Sequence, residues 1–452
     1  MSAVIDARRL AALTEIEHDR FVAAHAESGA LFASGREVLL GGVPMSWMSK
    51  WPGGYPVYVA EARGAHFRCV DGHDYVDLCL GDTGAMCGHA PAASVRAIQE
   101  QVAKGSTMML PTADAELVAR ILGERFGLPI WQFTLTATDA NRHVIRYARH
   151  LTGRPKILVH NYCYHGTVDE TFAVIDADGS TVVRRGSIGA PVPVSVTTVA
   201  VEINDLAATE RALRTGEIAA VLIEPALTNI GIVLPEDDYH RELRRLCDET
   251  GTLLVIDETH TLSAGPGGMT RELGLHPDFV VVGKSIGGGL PAAAFGMTAE
   301  IATRIIGSVE LEDIDVGGVG GTLAGNALSL AAMRATLEEV LTDRAFVGMI
   351  ERAIEWTRGV QDVIDETGLP WQVTRLGARA EYSFRAVAPG NGAEAAAADD
   401  FALAQYLHLH ALNRGVLMTP FHNMALMSPA TTTADVDRHT RVFREAALAL
   451  LG

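Results

Sequence analysis

The chain is short of positive charge. Its 452 residues carry 37 Lys and Arg against 55 Asp and Glu, a formal net charge of −18. A field of that sign repels a phosphate backbone, which argues against nucleic acid as a partner. The chain also lacks a long apolar run: no stretch reaches the roughly 20 residues needed to span a bilayer. Its first residues, MSAVIDARRLAALTEIEHDRF, mix acids into their apolar positions, where a secretory signal has a basic end followed by a greasy stretch. The expectation is a cytoplasmic protein that starts with an amphipathic helix and has no membrane partner. Cysteine is scarce too. Cys69, Cys79, Cys87, Cys163 and Cys247 are scattered, with no CxxC or Cys/His metal spacing, so reduced thiols and no structural metal are expected.

What the chain does have is apolar content. At 48% hydrophobic and 452 residues it exceeds the size at which one core stops growing, and two domains are expected. Residues 57–78 alternate apolar and polar and contain Asp71-Gly72 between strand-like runs, a hairpin signal that belongs outside any central sheet. From about 92 to 320, short apolar runs (WQFTLT, KILVH, VTTVAVEI, AAVLIE, TLLVIDE, FVVVG) alternate with helix-length amphipathic segments. That alternation predicts an α/β architecture, a mostly parallel sheet covered by helices on both faces. Two long helical patterns follow (325–342 and 344–367), then short strands near 371–385 and 416–427 and a last helix from about 433. The Ala-rich stretch 389–400 reads as a surface loop running into a helix start. The expected division is 1–80 (N-terminal helix and hairpin), 81–324 (the large domain) and 325–452, the first and last together forming a smaller α+β domain.

Ligands of α/β sheets sit beyond the carboxyl ends of the strands. The run TLLVI ends in Asp257-Glu258, and a carboxylate at such a tip is costly unless something cationic or hydrogen-bonding meets it. One strand-helix unit later, DFVVVG ends in Lys284, followed by Ser285 and Gly287, Gly288 and Gly289. Here backbone can approach a ligand closely, and the amine projects into the same crevice as Asp257. Each feature alone has an ordinary reading, since strands often end in acids and most lysines are simply solvated. A nucleotide-triphosphate loop ending in Gly283-Lys284-Ser285 fails, because it needs a glycine where Asp278 stands and a flexible cradle where the valines are.

The order of motifs resembles the class-III aminotransferase family, including its glutamate-1-semialdehyde aminomutase branch, from GGVPMSWM near residue 41 to the final helix. The resemblance implies a fold-type-I transferase that uses pyridoxal 5′-phosphate, with Lys284 carrying it as a Schiff base and Asp257 pairing with its ring nitrogen. Thr136, Ala137 and Thr138 stand where the family has Ser-Gly-Thr, which implies phosphate held at a helix N-terminus, itself a natural anion site. In Tyr164-His165-Gly166, matching the family's Tyr-His-Gly, Tyr164 is the stacking candidate and His165 a supporting residue. Glu224-Pro225 matches the family's Glu-Pro, so Glu224 is expected to order the site. Gly320-Gly321-Thr322 resembles the segment whose threonine reaches the neighbouring subunit's phosphate, which implies a homodimer with shared active sites.

The chain departs from the family at several points. Thr259 replaces an aliphatic residue expected against the cofactor ring, and Ala137 replaces a glycine. Where the aminomutase branch carries a carboxylate-binding arginine, this chain has Met48, flanked by Trp47 and Trp51. Where some relatives place a C-terminal arginine, it has Phe421-His422. A carboxylate is usually fixed by a bidentate arginine, so these residues imply an apolar substrate pocket, with Arg379 as a cation that could swing in. The expected activity is amino transfer from an amine or amino acid to a keto acid or aldehyde. The alternatives are an aminomutase of the glutamate-1-semialdehyde type and, from another class, a catalytically retired scaffold.

Overall fold

The computed structural model describes residues 5–308 and 317–452. Within them the chain divides into two compact units. One takes residues 91–308, 317–346 and 389–397; the other takes 5–90, 347–388 and 398–452. The cuts thus fall at 90/91 and 346/347 instead of 80/81 and 324/325. Residues 325–346 go with the larger unit because the helix Ala327–Ala335 packs on the helices Ala92–Val102 and Ala113–Phe126. A single π-helical turn, Thr336–Val340, continues it.

The larger unit is built on a seven-stranded sheet. Its spatial order is Ile130–Thr134, Ala293–Met297, Phe279–Val282, Leu253–Asp257, Ile218–Ile223, Lys156–His160 and Thr198–Val201. Ala293–Met297 runs antiparallel to both neighbours, and the other pairs are parallel. Ile218–Ile223, Leu253–Asp257 and Phe279–Val282 are buried at every position, which is why their sequences are unbroken apolar runs. The reversed strand, AAFGM, was not among the expected ones. It has no β-branched residue, and at Gly296 an added Cβ would lie 2.5 Å from the Trp131 ring. Its small residues answer a neighbour's bulk instead of β propensity. The antiparallel pair Ala173–Ile175 and Thr181–Val183 was likewise not anticipated.

The helix Ala137–Thr152 lies against this sheet. Thr136 caps its start, with Oγ1 accepting from Asp139 N–H, and left-handed Gly153 ends it. Its buried face includes Ala140, Asn141, Val144, Tyr147 and Ala148, the helical spacing of an amphipathic stripe. Within the expected loop 389–400 there is a short helix, Gly392–Ala397.

The other unit begins with the helix Ala7–Ala24, capped by Asp6. Three antiparallel strands follow, Val59–Arg63, His66–Cys69 and Asp74–Asp77, and Val416–Leu417 joins the last in parallel. The turn at Asp71-Gly72 is as expected, with Gly72 at φ +87°, and a second tight turn uses Gly64 at φ +61°. A separate antiparallel sheet combines Gln372–Leu376, Arg379–Ser383 and Met424–Leu426. The final helix, Thr433–Leu451, opens with a capping box between Thr432 and Asp435. Among the described residues no helix is long and apolar enough to cross a membrane, and all five cysteines are free and buried.

Candidate active site

Asp257 closes the strand Leu253–Asp257, which has a parallel partner on each side. It is 2% exposed, and a carboxylate so placed needs donors. Three meet it. Asn141 Nδ2 and His165 Nδ1 each donate to Oδ2 at 2.9 Å, and the Thr259 amide donates to Oδ1 at 3.0 Å. Burial alone would raise the pKa of this group. The His165 hydrogen bond and charge, with the Thr259 and Asn141 donors, outweigh burial and hold the carboxyl below its ordinary range. Burial opposes charge on His165 as well, but the Cys163 sulfur and the Asp257 carboxylate prevail and hold its pKa well above the ordinary imidazole value. The contact between them thus favours the proton on His165 and the charge on Asp257. His165 therefore touches Asp257 directly, and Asn141, absent from the residues the motifs single out, is its second side-chain partner.

The helix Ala137–Thr152 ties this pair to an anion site. Ala137 and Asn141 are four residues apart, so they share one helix face about one turn, ~5.4 Å, from each other. Asn141 meets Asp257, while Ala137 meets the lysine segment. A Cβ built on Gly283 would lie 3.2 Å from Ala137 Cβ and 3.1 Å from Ala293 Cβ. On the other side, Gly166 at φ +76° leaves no room for a side chain, since a Cβ there would fall 2.0 Å from Thr138 Oγ1. Thr167 N–H donates to that same oxygen at 3.1 Å. The Ala137 and Thr138 amides head the helix, where no intrahelical acceptor exists. The structure thus gathers Thr136, Ala137, Thr138, His165, Asp257, Thr259 and the Lys284 segment round one helix start. A cavity of about 260 Å³ beside it is lined by Thr134, Leu135, Asp139 and Gly320 to Ala324, which brings Gly321 and Thr322 close to the same region.

Lys284 follows Gly283 in the left-handed region, at φ +56°. A residue with a side chain pays about 1–2 kcal/mol there, and such strain persists where the surroundings fix it. Its Nζ lies 2.7 Å from His260 Nε2. Glu224, at the end of Ile218–Ile223, accepts from the Tyr164 amide at 3.3 Å and from the Thr228 hydroxyl. Burial raises its pKa, partly offset by His165. Glu224 thereby fixes the loop of half-buried Tyr164.

The expected pocket residues Trp47, Met48, Trp51, Arg379 and Phe421 all belong to the other unit. Trp47 and Phe421 are each 44% exposed, and Lys50 Nζ lies 5.5 Å from the centre of the Phe421 ring. Arg379 does not behave as a swinging cation. It is 1% exposed, with Nη2 donating to Asp82 Oδ1 at 3.1 Å and to Thr83 Oγ1 at 3.4 Å. Burial pushes the neighbouring Glu381 up to about 8, against the pull of Arg379.

The sequence pattern of the family described as aminotransferase class-III matches residues 48–444. This chain belongs to the class-III aminotransferase family. As a class-III chain it is 32% identical over 417 residues to the glutamate-1-semialdehyde 2,1-aminomutase of Anaeromyxobacter sp. strain Fw109-5, covering 91% of this chain and 95% of that one. Among solved structures, a glutamate-1-semialdehyde-aminomutase from Pseudomonas aeruginosa PAO1 is 48% identical, with a TM-score of 0.96 over 99% of this chain and 100% of that one. A lysine-to-alanine variant of that protein in complex with PMP is similar at 47% identity and a TM-score of 0.96, with the same coverage. An omega-transaminase from Sphaerobacter thermophilus, 29% identical, matches with a TM-score of 0.84 over 94% and 98% of the two chains. These neighbours establish the fold-type-I architecture of the class.

Removing His165 should expose the cost of Asp257. In the apoprotein, His165→Leu leaves a buried carboxylate without its cation, a loss of about 3–5 kcal/mol. The imidazole has a raised folded-state pKa, so its stabilisation is full below the unfolded value and fades as pH rises through the folded one. The gap in Tm between wild type and variant should therefore be wider at pH 6 than at high pH. Equal Tm values across that range would show that the pair is not an ion pair.

Proposed function

We propose that this chain is an aminomutase of the glutamate-1-semialdehyde type, moving an amino group between adjacent carbons of one small molecule. The cofactor is pyridoxal 5′-phosphate. The observation that carries the reading is the 48% identity with the Pseudomonas aeruginosa aminomutase over 99% of this chain. The Anaeromyxobacter relative carries the same name. A retired scaffold is a poorer reading, because a scaffold has no use for Lys284 in a left-handed, strained conformation or for a carboxylate buried at the end of the strand Leu253–Asp257.

The residues present suit the cofactor. Asp257 Oδ1 accepts one hydrogen bond, from Thr259, leaving room for the ring nitrogen. Thr259 Oγ1 is buried without a hydrogen-bond partner among the described residues, a polar atom suited to a polar ligand. The helix-start amides of Ala137 and Thr138, with the hydroxyl of Thr136, would hold the phosphate, and Tyr164 would stack on the ring. Bound there, the cofactor supplies an electron sink for the carbon that loses its proton. Asp257, held ionised, would keep the ring nitrogen's proton in place. Lys284 would bind the cofactor through Nζ and, when freed, use the same atom to carry a proton between the two reacting carbons.

A second reading, amino transfer between two molecules, is favoured by one observation. In the motif resemblance Met48 takes the place of the carboxylate-binding arginine of the aminomutase branch, and Arg379 is held by Asp82. The two readings part over the need for a second substrate. Incubated with glutamate 1-semialdehyde alone, the holoenzyme should exchange the amino and carbonyl groups to give 5-amino-4-oxopentanoate, with no net oxidation and no keto acid consumed. Turnover only with an amine donor plus a separate keto acid, and none with the semialdehyde alone, would make it an aminotransferase.

The assembly we infer is a homodimer, with Gly321 and Thr322 completing the partner's phosphate site, in reducing, cytoplasmic surroundings that suit five free cysteines. Met109 and Leu110 are 82% and 74% exposed, and the Ser106 carbonyl accepts from Ala327 N–H at 3.0 Å, which ties this apolar stretch to the Gly321 region. Thr322→Ala should weaken cofactor retention in a sedimenting dimer. A monomer that keeps its full cofactor complement would sink this part.

A further inference from the structure

The contact between Lys284 Nζ and His260 Nε2, at 2.7 Å, follows from sheet register. The strands Leu253–Asp257 and Phe279–Val282 are parallel neighbours, with Asp257 opposite Val281. His260 stands three residues beyond Asp257, and Lys284 three beyond Val281. Both residues therefore leave the sheet at the same end of adjacent strands, and the turns beyond bring their side chains together. The backbone then fixes both roots, through φ +56° at Lys284 and the turn that opens Thr261–Ala264 after His260. His260 is 8% exposed.

We propose that His260 is a positioning residue for Lys284, holding Nζ at one point while the cofactor is exchanged between lysine and substrate. The inference rests on the reading of Lys284 as the cofactor lysine. Lysine presents its amine on a flexible four-carbon stem, so a fixed partner shortens the search for the reactive position. Imidazole suits both states of the amine. Its nitrogen accepts from an ammonium, and as N–H it donates to the lone pair of a free amine. The nearby acids are committed elsewhere. Glu258 accepts from the Thr261 hydroxyl at 2.6 Å and from the Met269 and Thr270 amides at 3.1 and 2.5 Å. Asp257 is taken by His165, Asn141 and Thr259.

The test uses apoprotein and two probes. Pyridoxal phosphate bonds to a lysine, and stopped-flow absorbance follows its capture. Pyridoxamine phosphate has no aldehyde and cannot bond to lysine, so its affinity reports only the ring and phosphate sites. His260→Leu should capture pyridoxal phosphate about tenfold more slowly, the effect of losing the one hydrogen bond that positions the attacking neutral amine, with pyridoxamine phosphate affinity unchanged. His260→Gln, whose amide both donates and accepts, should restore most of the capture rate. Wild-type capture by the Leu variant overturns the proposal. So does a Gln variant as slow as the Leu one, or a parallel loss of pyridoxamine phosphate affinity, which marks a merely structural role. If instead wild-type protein never bonds the cofactor at Lys284, the reading of Lys284 fails, whatever His260 does.

Discussion

The buried carboxylate of Asp257 is the constraint round which the larger unit is arranged. An ionised acid at 2% exposure is untenable without partners, because desolvating a charge costs several kcal/mol even after relaxation. The partners come from three separate parts of the chain: Asn141 from a helix, His165 from a loop, and Thr259 from the turn just beyond the strand. Each must be in place for the others to matter. Against burial, the contact raises the pKa of His165 and lowers that of Asp257, so each partner favours the charged form of the other. A site that keeps such a pair at the end of a central strand has a fixed negative charge for a cationic ligand atom to meet.

The same helix that delivers Asn141 offers its unpaired amides one turn earlier, at Ala137 and Thr138. This is how a negative charge and an anion site come to lie a few ångströms apart without cancelling: the carboxylate meets side-chain donors partway along the helix, and the free amides point out of its end. Close packing at Gly166 and Gly283 clamps the flanking loops against that end. Lys284 then emerges in a strained left-handed conformation, with its amine against His260. The arrangement suits a ligand with a phosphate, a ring nitrogen and an aldehyde, and the class-III family provides that ligand.

Much of this was legible in the sequence because parallel, doubly covered strands are written as unbroken apolar runs, and chemistry collects at their ends. Asp257, Lys284 and the Thr136–Thr138 helix start could be picked out on that basis together with the family's motif order. The partnerships were not legible. Asn141 reaches Asp257 across 116 positions and His260 reaches Lys284 across 24, and neither contact leaves a local pattern. The strand Ala293–Met297 escaped notice because it has no β-branched residue, and its glycine at 296 is dictated by the Trp131 ring and not by strand propensity. Residues 325–342 showed helical periodicity but not which unit their apolar face would join. Arg379, a candidate cation by composition, turned out to be sequestered by Asp82, which only the packing of distant segments reveals.

Lys284 as the residue that bonds the cofactor is the central claim, and the chain makes it easy to examine. Its lysines are Lys50, Lys104, Lys156 and Lys284. Borohydride reduction of the holoprotein fixes the cofactor on whichever amine it occupies, and peptide mass mapping locates the added mass. The account predicts that mass on the peptide containing Lys284, in near-stoichiometric amount. A label on Lys50, Lys104 or Lys156, or no label on a protein that binds the cofactor fully, would contradict it.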